Sequence, residues 1–164
     1  MITIRHAQTN DLKAINEIYN YFILNSAITF DIEPWSLEKR QAWFDERCLD
    51  VRQNHFVAVL NDTVIGFAYN APFNPKRAYD SSTELTVYKA IDCTEKGVGS
   101  TLYQHLIDSL IPHNYHRAYA LITTPNDASM NLHYKLGFTD AGMMQEVGEK
   151  HGKFHDVALL EKKL

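Results

Sequence analysis

The segment that most constrains the fold is YKAIDCTEKGVGSTL, residues 88–102, in which a polar loop with two glycines precedes a helical pattern. The loop follows a β-rich run at 84–89, and Leu102, Leu106 and Leu110 come after it at helical spacing. Glycine lets the backbone approach a ligand closely, and the first turn of a helix has N–H groups without intrahelical partners. We therefore predict a strand–loop–helix unit whose loop binds phosphate.

The glycine spacing separates this loop from two better-known phosphate loops. The chain contains no GxxxxGK[ST] segment, which excludes a P-loop. The pair Gly97 and Gly99 lacks a third glycine, and no early βαβ unit precedes it, which argues against a dinucleotide-binding fold. From these residues alone, a tight strand-to-helix turn without a ligand remains the alternative.

Hydrophobic periodicity along the rest of the chain predicts a domain of mixed helices and strands. The predicted strands lie at about 2–6, 55–60, 64–69, 84–89, 115–123, 138–145 and 155–160. The predicted helices lie at about 10–25, 36–49, 97–111 and 128–136. The order β-α-α-β-β-β-α-β-α-β-β indicates the α+β class, or α/β of mixed order. The length of 164 residues fits one domain, residues 1–164.

Charge and composition exclude several classes of partner. A net charge of -4 leaves no basic surface for nucleic acid and no polybasic patch for a membrane. Cys48 and Cys93 have no CxxC spacing, so we expect free thiols and a cytoplasmic location. The eight histidines have no zinc-binding spacing, so we expect no metal.

Two segments resemble the GNAT acetyltransferases. TEKGVG at 94–99 resembles their Gln/Arg-x-x-Gly-x-Gly/Ala pyrophosphate loop, and NDASMNLHYKLGF at 126–138 resembles their second signature. The resemblance implies the GNAT fold, a twisted and mostly antiparallel sheet of about six or seven strands with about four helices, and acetyl-CoA as co-substrate. The cofactor-binding residues that it implies are Val87, Tyr88, Lys89, Glu95, Lys96, Gly97, Val98, Gly99, Ser100, Thr101 and Asn126.

Three further segments resemble the phosphinothricin and methionine sulfoximine branch of that family. They are FDIEP at 30–34, RAYDSSTELTVY at 77–88 and HGKFHDV at 151–157. The resemblance therefore spans nearly the whole chain. It implies a small amino-acid-like amine as acceptor, of the phosphinothricin, methionine sulfoximine or methionine sulfone type. It also implies a homodimer that shares its acceptor site between two subunits.

Glu84 is the predicted catalytic base. It lies in a β-rich run, where a carboxylate is unusual, and burial there would raise its pKa toward the range that a base for an ammonium group needs. A solvated glutamate on an exposed sheet face is the alternative from the strand alone. By resemblance, the backbone N–H of Val87 stabilises the oxyanion, and His133, Tyr134 or solvent protonates the thiolate.

Four other residues are predicted to contact the acceptor. Arg77 has a guanidinium that binds carboxylate or phosphinate oxygens in pairs, and Tyr79 accompanies it in the same segment. Phe30 and His155 are assigned to the acceptor pocket beside Glu84. A surface arginine, a loop aromatic and a structural histidine are the corresponding alternatives.

Two other functions fit the same residues. One is acetylation of a peptide N-terminus or another small amine, which an open acidic groove would favour. The other is a GNAT-like module that binds acyl-CoA without turnover. Retention of Glu84 and Asn126 argues against the second, and the variant Glu84→Gln separates a catalyst from a pure binder.

Overall fold

The computed structural model describes all of residues 1–164 and shows seven strands and four α-helices. The elements are β1 (Thr3–His6), α1 (Leu12–Asn25), α2 (Leu37–Arg47), β2 (His55–Leu60), β3 (Thr63–Pro72), β4 (Ser82–Lys89), α3 (Val98–Leu110), β5 (Arg117–Thr124), α4 (Asp127–Lys135), β6 (Thr139–Lys150) and β7 (Lys153–Lys163). This order confirms the predicted one. None of the helices combines the length and the apolar character that a membrane crossing requires.

The strands form one sheet in the order β1-β2-β3-β4-β5-β7-β6. Every neighbouring pair is antiparallel except β4 and β5, which are parallel. The mostly antiparallel sheet of the predicted GNAT fold is therefore confirmed. The parallel pair lies in the middle of the sheet, so the two halves of the sheet meet there.

Helices cover both faces of the sheet because the strands alternate apolar side chains between them. Ala58 and Ala68 belong to one buried cluster, in which Leu102 and Leu106 of α3 are fully buried. Val57 and Phe67, the neighbours of those alanines, belong to the other cluster, which packs beneath α1 and α2. Each buried leucine stabilises the fold by about 1.5–3 kcal/mol relative to an exposed one.

The β6–β7 hairpin is longer than the sequence predicts. The predicted strands end at 145 and begin at 155, whereas the observed strands approach each other until Lys150 and Lys153. His151 and Gly152 make the turn with φ of 52° and 70°. Nearly all of β6 is exposed at the sheet edge, so its residues lack the apolar alternation by which strands are recognised in sequence.

The strands β4 and β5 separate after only three paired residues. Ser82–Glu84 pairs with Arg117–Tyr119, and beyond this point β4 pairs only with β3 while β5 pairs only with β7. We call the wedge-shaped opening between them the β4–β5 split. It exposes backbone N–H and C=O groups that would be hydrogen-bonded between strands in a continuous sheet. The candidate site lies at this opening.

Candidate active site

The β4–β5 split leaves backbone N–H groups of β4 without strand partners. The Ala90 N–H donates to the Ile65 carbonyl at 3.0 Å, which makes this a hydrogen-bonded pair of β3 and the end of β4. Because N–H groups of alternate residues point the same way, the N–H of Tyr88 also faces β3. The N–H groups of Val87 and Lys89 therefore face the split. The Val87 N–H is the predicted oxyanion donor.

A second set of free N–H groups lies at the start of α3. Gly97 caps the helix with φ of 81°, a left-handed conformation that favours glycine, and no atom lies within 4 Å of the position a Cβ would take. The first intrahelical bond is that from the Thr101 N–H to the Gly97 carbonyl, at 2.9 Å. The N–H groups of Val98, Gly99 and Ser100 have no partner in the protein.

These N–H groups open into a groove of about 560 Å³, which we call the α3 groove. All predicted cofactor-binding residues except Thr101 line it, namely Val87, Tyr88, Lys89, Glu95, Lys96, Gly97, Val98, Gly99, Ser100 and Asn126. Thr101 does not line this groove, and its N–H is already used within the helix, so only its hydroxyl is available to a ligand. The free amides and the empty space beside Gly97 fit the pyrophosphate of acetyl-CoA.

Asn126 begins α4 and connects the groove to a second cavity. Its side-chain oxygen accepts a hydrogen bond from the Ser129 N–H at 3.2 Å, which caps the helix. The other half of the carboxamide, the Nδ2 group, has no protein partner. This donor borders both spaces, and it is suited to a carbonyl of the pantetheine arm.

The second space is a central cavity of about 380 Å³ beneath the split. It continues the α3 groove, because Ile28, Val87, Tyr88, Asn126 and Ser129 line both. Its wall is aromatic and polar, formed among others by Tyr19, Thr29, Phe30, Tyr69, Glu84 and His133. A volume of this size suits a small ligand.

Glu84 lies in this cavity at the last residue of β4 that pairs with β5. No hydrogen bond or ion pair from the protein holds its carboxylate. Desolvation raises the pKa of Glu84, and the positive charge of Arg47 partly opposes this. A carboxylate with a raised pKa and no partner is free to take a proton from a ligand.

His133 also lines the cavity, but its two ring nitrogens already have partners. Nδ1 donates to the Ser129 carbonyl at 2.7 Å, and Nε2 lies 3.0 Å from the Tyr103 hydroxyl. Burial lowers the pKa of His133, so the ring is neutral at neutral pH and Nε2 accepts the hydrogen bond. His133 therefore presents no free N–H to the cavity in this structure, and its role as general acid stays a prediction.

Tyr134, the other side chain predicted as a possible general acid, lies away from the cavity. Its hydroxyl donates to Asp140 at 2.8 Å on the protein surface, and 43% of the residue is exposed. It does not line the central cavity. Helical geometry explains this, because adjacent residues of α4 point about 100° apart and only His133 faces inward.

The four predicted acceptor contacts fall into two groups. Phe30 lines the central cavity, and His155 lies behind it, with ring centroids 6.3 Å apart. Arg77 and Tyr79 form a short 3₁₀ turn before β4 and do not line the cavity of their own chain. The structure of one chain therefore does not place these two residues at the acceptor site.

Sequence reasoning missed Tyr103, which lies fully buried on the inner face of α3. Its hydroxyl donates its single proton to Nε2 of His133, and its oxygen also lies 3.4 Å from the Leu85 carbonyl at the split. The available signal was a tyrosine on a helix face of leucines, since a buried hydroxyl needs a hydrogen-bond partner. No group of three or more His, Cys, Asp or Glu side chains is placed to hold a metal ion.

A sheet split at its parallel pair, a helix N-terminus open to phosphate and a carboxylate inside the split together define an acyl-CoA-dependent acyltransferase. Residues 4–159 match the acetyltransferase (GNAT) domain, and the chain belongs to this family. It is therefore an acetyl-CoA-dependent N-acetyltransferase, with acetyl-CoA as co-substrate.

Relatives of known activity match over the full chain. A phosphinothricin N-acetyltransferase of Streptomyces coelicolor is 38% identical over 99% of this chain and 96% of its own length. An L-methionine sulfoximine/L-methionine sulfone acetyltransferase of Pseudomonas paraeruginosa is 35% identical over 97% of this chain and 92% of its own. A phosphinothricin acetyltransferase structure from Sinorhizobium meliloti, in complex with acetyl-CoA, superposes with a TM-score of 0.94 at 30% identity, covering 99% of this chain and 88% of that one.

Proposed function

We propose that residues 1–164 form one catalytic unit that acetylates the α-amine of a small amino-acid-like acceptor. The observation that carries this proposal is the central cavity, which holds Glu84 at one end of a groove suited to acetyl-CoA. A cavity of about 380 Å³ with aromatic walls suits a ligand of the size of an amino acid.

The side chains of the cavity suit proton removal from an ammonium group. Acetyl-CoA supplies the activated thioester. Glu84, whose pKa is raised by burial, takes the proton that must leave the acceptor amine before it attacks. The Val87 N–H, which faces the split, donates to the oxyanion that develops at the carbonyl. The thiolate takes its proton from solvent, because His133 and Tyr134 are committed to other hydrogen bonds.

The acceptor class follows from the relatives. Those named for phosphinothricin and for methionine sulfoximine or sulfone match nearly the full chain at 32–38% identity. All three acceptors are α-amino acids with a polar tetrahedral centre in the side chain. We therefore propose acceptors of this type, with acetylation of a peptide N-terminus as the competing outcome of the assay.

We further propose a homodimer in the cytoplasm. The sheet edge formed by β6 exposes Met143 and Val147 by 53% and 52%, and Phe154 of the neighbouring strand by 64%. An exposed edge with apolar side chains favours a second protein surface. Arg77 and Tyr79 do not line the cavity of their own chain, so in this proposal a second subunit brings them to it. Light scattering on the purified protein tests the dimer.

The free thiols of Cys48 and Cys93 suit a reducing compartment, which supports the proposed cytoplasmic location.

The function is tested by thiol release from acetyl-CoA with a panel of acceptors. The panel contains phosphinothricin, methionine sulfoximine, methionine sulfone, ordinary amino acids and a short peptide. We expect release with the first three and none with the peptide. Peptide-only release would overturn the acceptor class.

The variant Glu84→Gln tests whether the chain is a catalyst. Loss of the base should lower kcat by about 10²–10⁴-fold, the range typical of general base catalysis, while the Kd of acetyl-CoA stays unchanged. Glu46→Gln, at an exposed position on α2, is the matched control and should behave as wild type. Equal turnover of both variants would overturn the assignment of Glu84 as base, and acetyl-CoA binding without turnover in the wild type would support a binding module.

A further inference from the structure

The segment between α1 and α2 places Phe30 in the wall of the central cavity, although it belongs to no helix or strand. Thr29 and Asp31 flank Phe30 and are tied to α1 by a closed ring of hydrogen bonds. The Tyr19 hydroxyl donates to Asp31 at 2.6 Å and accepts from the Thr29 hydroxyl at 2.9 Å. The Asp31 N–H in turn donates to that Thr29 hydroxyl at 3.2 Å. This ring holds the segment on one side only.

On the other side, the segment rests on the end of β6. An added Cβ at Gly148 would overlap three ring atoms of Phe30, so the ring lies directly on the backbone of that residue. Lys150, two residues further and on the same face of β6, is 3% exposed, and its ammonium group donates to the Thr29 carbonyl at 2.7 Å. Both residues therefore act on the segment that carries Phe30.

A β-bulge in β6 turns Gly148 and Lys150 toward the Phe30 segment. The register of β6 against β7 shifts between Met144 and Gly148, and Glu146 within the bulge has φ of 51°. The Asp156 carboxylate accepts the N–H of Glu146 at 2.7 Å and stabilises the bulge. Bulges beside active sites commonly redirect a strand, and here the bulge turns the end of β6 toward the Phe30 segment.

We infer that Gly148 and Lys150 are positioning residues that determine acceptor specificity by holding the Phe30 ring in the wall of the central cavity. Gly148 has no side chain and so leaves the space that the ring occupies, and Lys150 fixes the Thr29 carbonyl that precedes Phe30. A side chain at position 148 displaces the ring into the cavity and narrows the acceptor site. This inference rests on the proposed function in taking the central cavity as the acceptor site.

The first test compares Gly148→Ala with Gly142→Ala. Both glycines lie on β6 with φ that alanine tolerates, but a Cβ at Gly142 meets no atom within 4 Å. Gly148→Ala should raise the KM of the acceptor about tenfold, equivalent to about 1.4 kcal/mol and within the usual cost of overpacking. The KM of acetyl-CoA should stay unchanged. Gly142→Ala should match wild type in both constants.

A double-mutant cycle with Phe30→Leu shows whether the effect passes through the ring. Leucine removes the ring atoms that overlap the added methyl group, so Gly148→Ala should change the acceptor KM little in that background. An equal increase in both backgrounds would overturn the inference. Lys150→Met should also raise the acceptor KM. The control variant Lys153→Met changes the exposed lysine that pairs with Lys150 across the hairpin, and it should leave the acceptor KM unchanged.

An NMR measurement tests the positioning without any turnover. The ring current of Phe30 should displace the α-proton resonances of Gly148 from their usual positions, and Phe30→Leu should abolish that displacement. Normal Gly148 shifts in the wild-type protein would refute the contact and with it the inference. Failure of the wild-type protein to acetylate any acceptor would instead refute the proposed function, so the two failures are distinguishable.

Discussion

The two glycines of the α3 groove should respond to alanine with stability changes of opposite sign. Gly97 has φ of 81°, so an alanine there is strained, although its methyl group meets no protein atom within 4 Å. Gly99 lies in the first turn of α3 with ordinary helical backbone, and an added Cβ would lie 3.7 Å from a methyl carbon of Leu132, a normal contact distance. The same substitution therefore probes two different conformations two residues apart.

The magnitudes follow from the backbone conformations. An L-residue in the left-handed region costs about 1–2 kcal/mol, so Gly97→Ala should lower the free energy of unfolding by that amount. In a helix, alanine is about 0.8–1.0 kcal/mol more favourable than glycine, so Gly99→Ala should raise the free energy of unfolding by up to that amount. For a domain of this size, 1 kcal/mol corresponds to about 2–4 °C in Tm.

Binding of acetyl-CoA should separate the two variants further. In Gly97→Ala, relaxation of the strained residue turns away the amides that would bind pyrophosphate. Loss of one hydrogen bond to a charged group costs about 1.5–3 kcal/mol, which weakens binding roughly 10- to 150-fold. Gly99→Ala should retain its affinity, because the motif that this loop resembles admits alanine at the second glycine.

Thermal unfolding without ligand and titration calorimetry with acetyl-CoA measure both quantities. A Tm for Gly97→Ala equal to that of wild type would refute the left-handed conformation at the start of α3. We assign Gly97, with its left-handed backbone, as the glycine that shapes the phosphate site. If Gly99→Ala weakened acetyl-CoA binding as much as Gly97→Ala does, this assignment would be refuted.

Two further variants test the electrostatics and the hydrogen bonds of the cavity. Arg47→Gln removes the positive charge that opposes the raised pKa of Glu84, so the pKa of Glu84 should rise further. The acid limb of the pH profile of kcat/KM should then move to higher pH. An acid limb that does not move would contradict the assignment of Glu84 as base. Tyr103→Phe leaves Nε2 of His133 buried without a donor, so it should lower kcat and reduce the free energy of unfolding by about 1–3 kcal/mol in urea denaturation. Tyr134→Phe, which removes only a surface hydroxyl, should change neither.

The parts of the site that were predicted from sequence are those that the chain forms locally. The glycine loop and the start of α3 occupy a few consecutive residues, so their chemistry can be recognised without the fold, whereas the role of Asn126 was implied only by the family resemblance. Local periodicity likewise predicted every strand and helix. It predicted the length of β6 poorly, because an exposed edge strand has no apolar face.

The contacts that sequence reasoning missed join residues far apart in the chain. His133 occupies the slot of a general acid in the family pattern, but its partner Tyr103 belongs to another helix and makes it an acceptor of a hydrogen bond. Gly148 has an ordinary φ and shows no turn signature, and only the Phe30 ring on its backbone explains why a side chain is excluded. Such requirements arise from tertiary packing and leave no local pattern.

The position of Glu84 also bears on how the proton leaves the amine. Glu84 is the last residue of β4 that pairs with β5, and the N–H of Val87 faces the split three residues later. At about 3.3 Å per residue, the two Cα atoms lie about 10 Å apart along the strand. The attacking nitrogen must lie within bonding distance of the carbonyl whose oxygen the Val87 N–H binds, so it lies between Val87 and the Glu84 side chain. We expect the Glu84 carboxylate, whose pKa is raised by burial, to reach the amine across this space directly or through one ordered water.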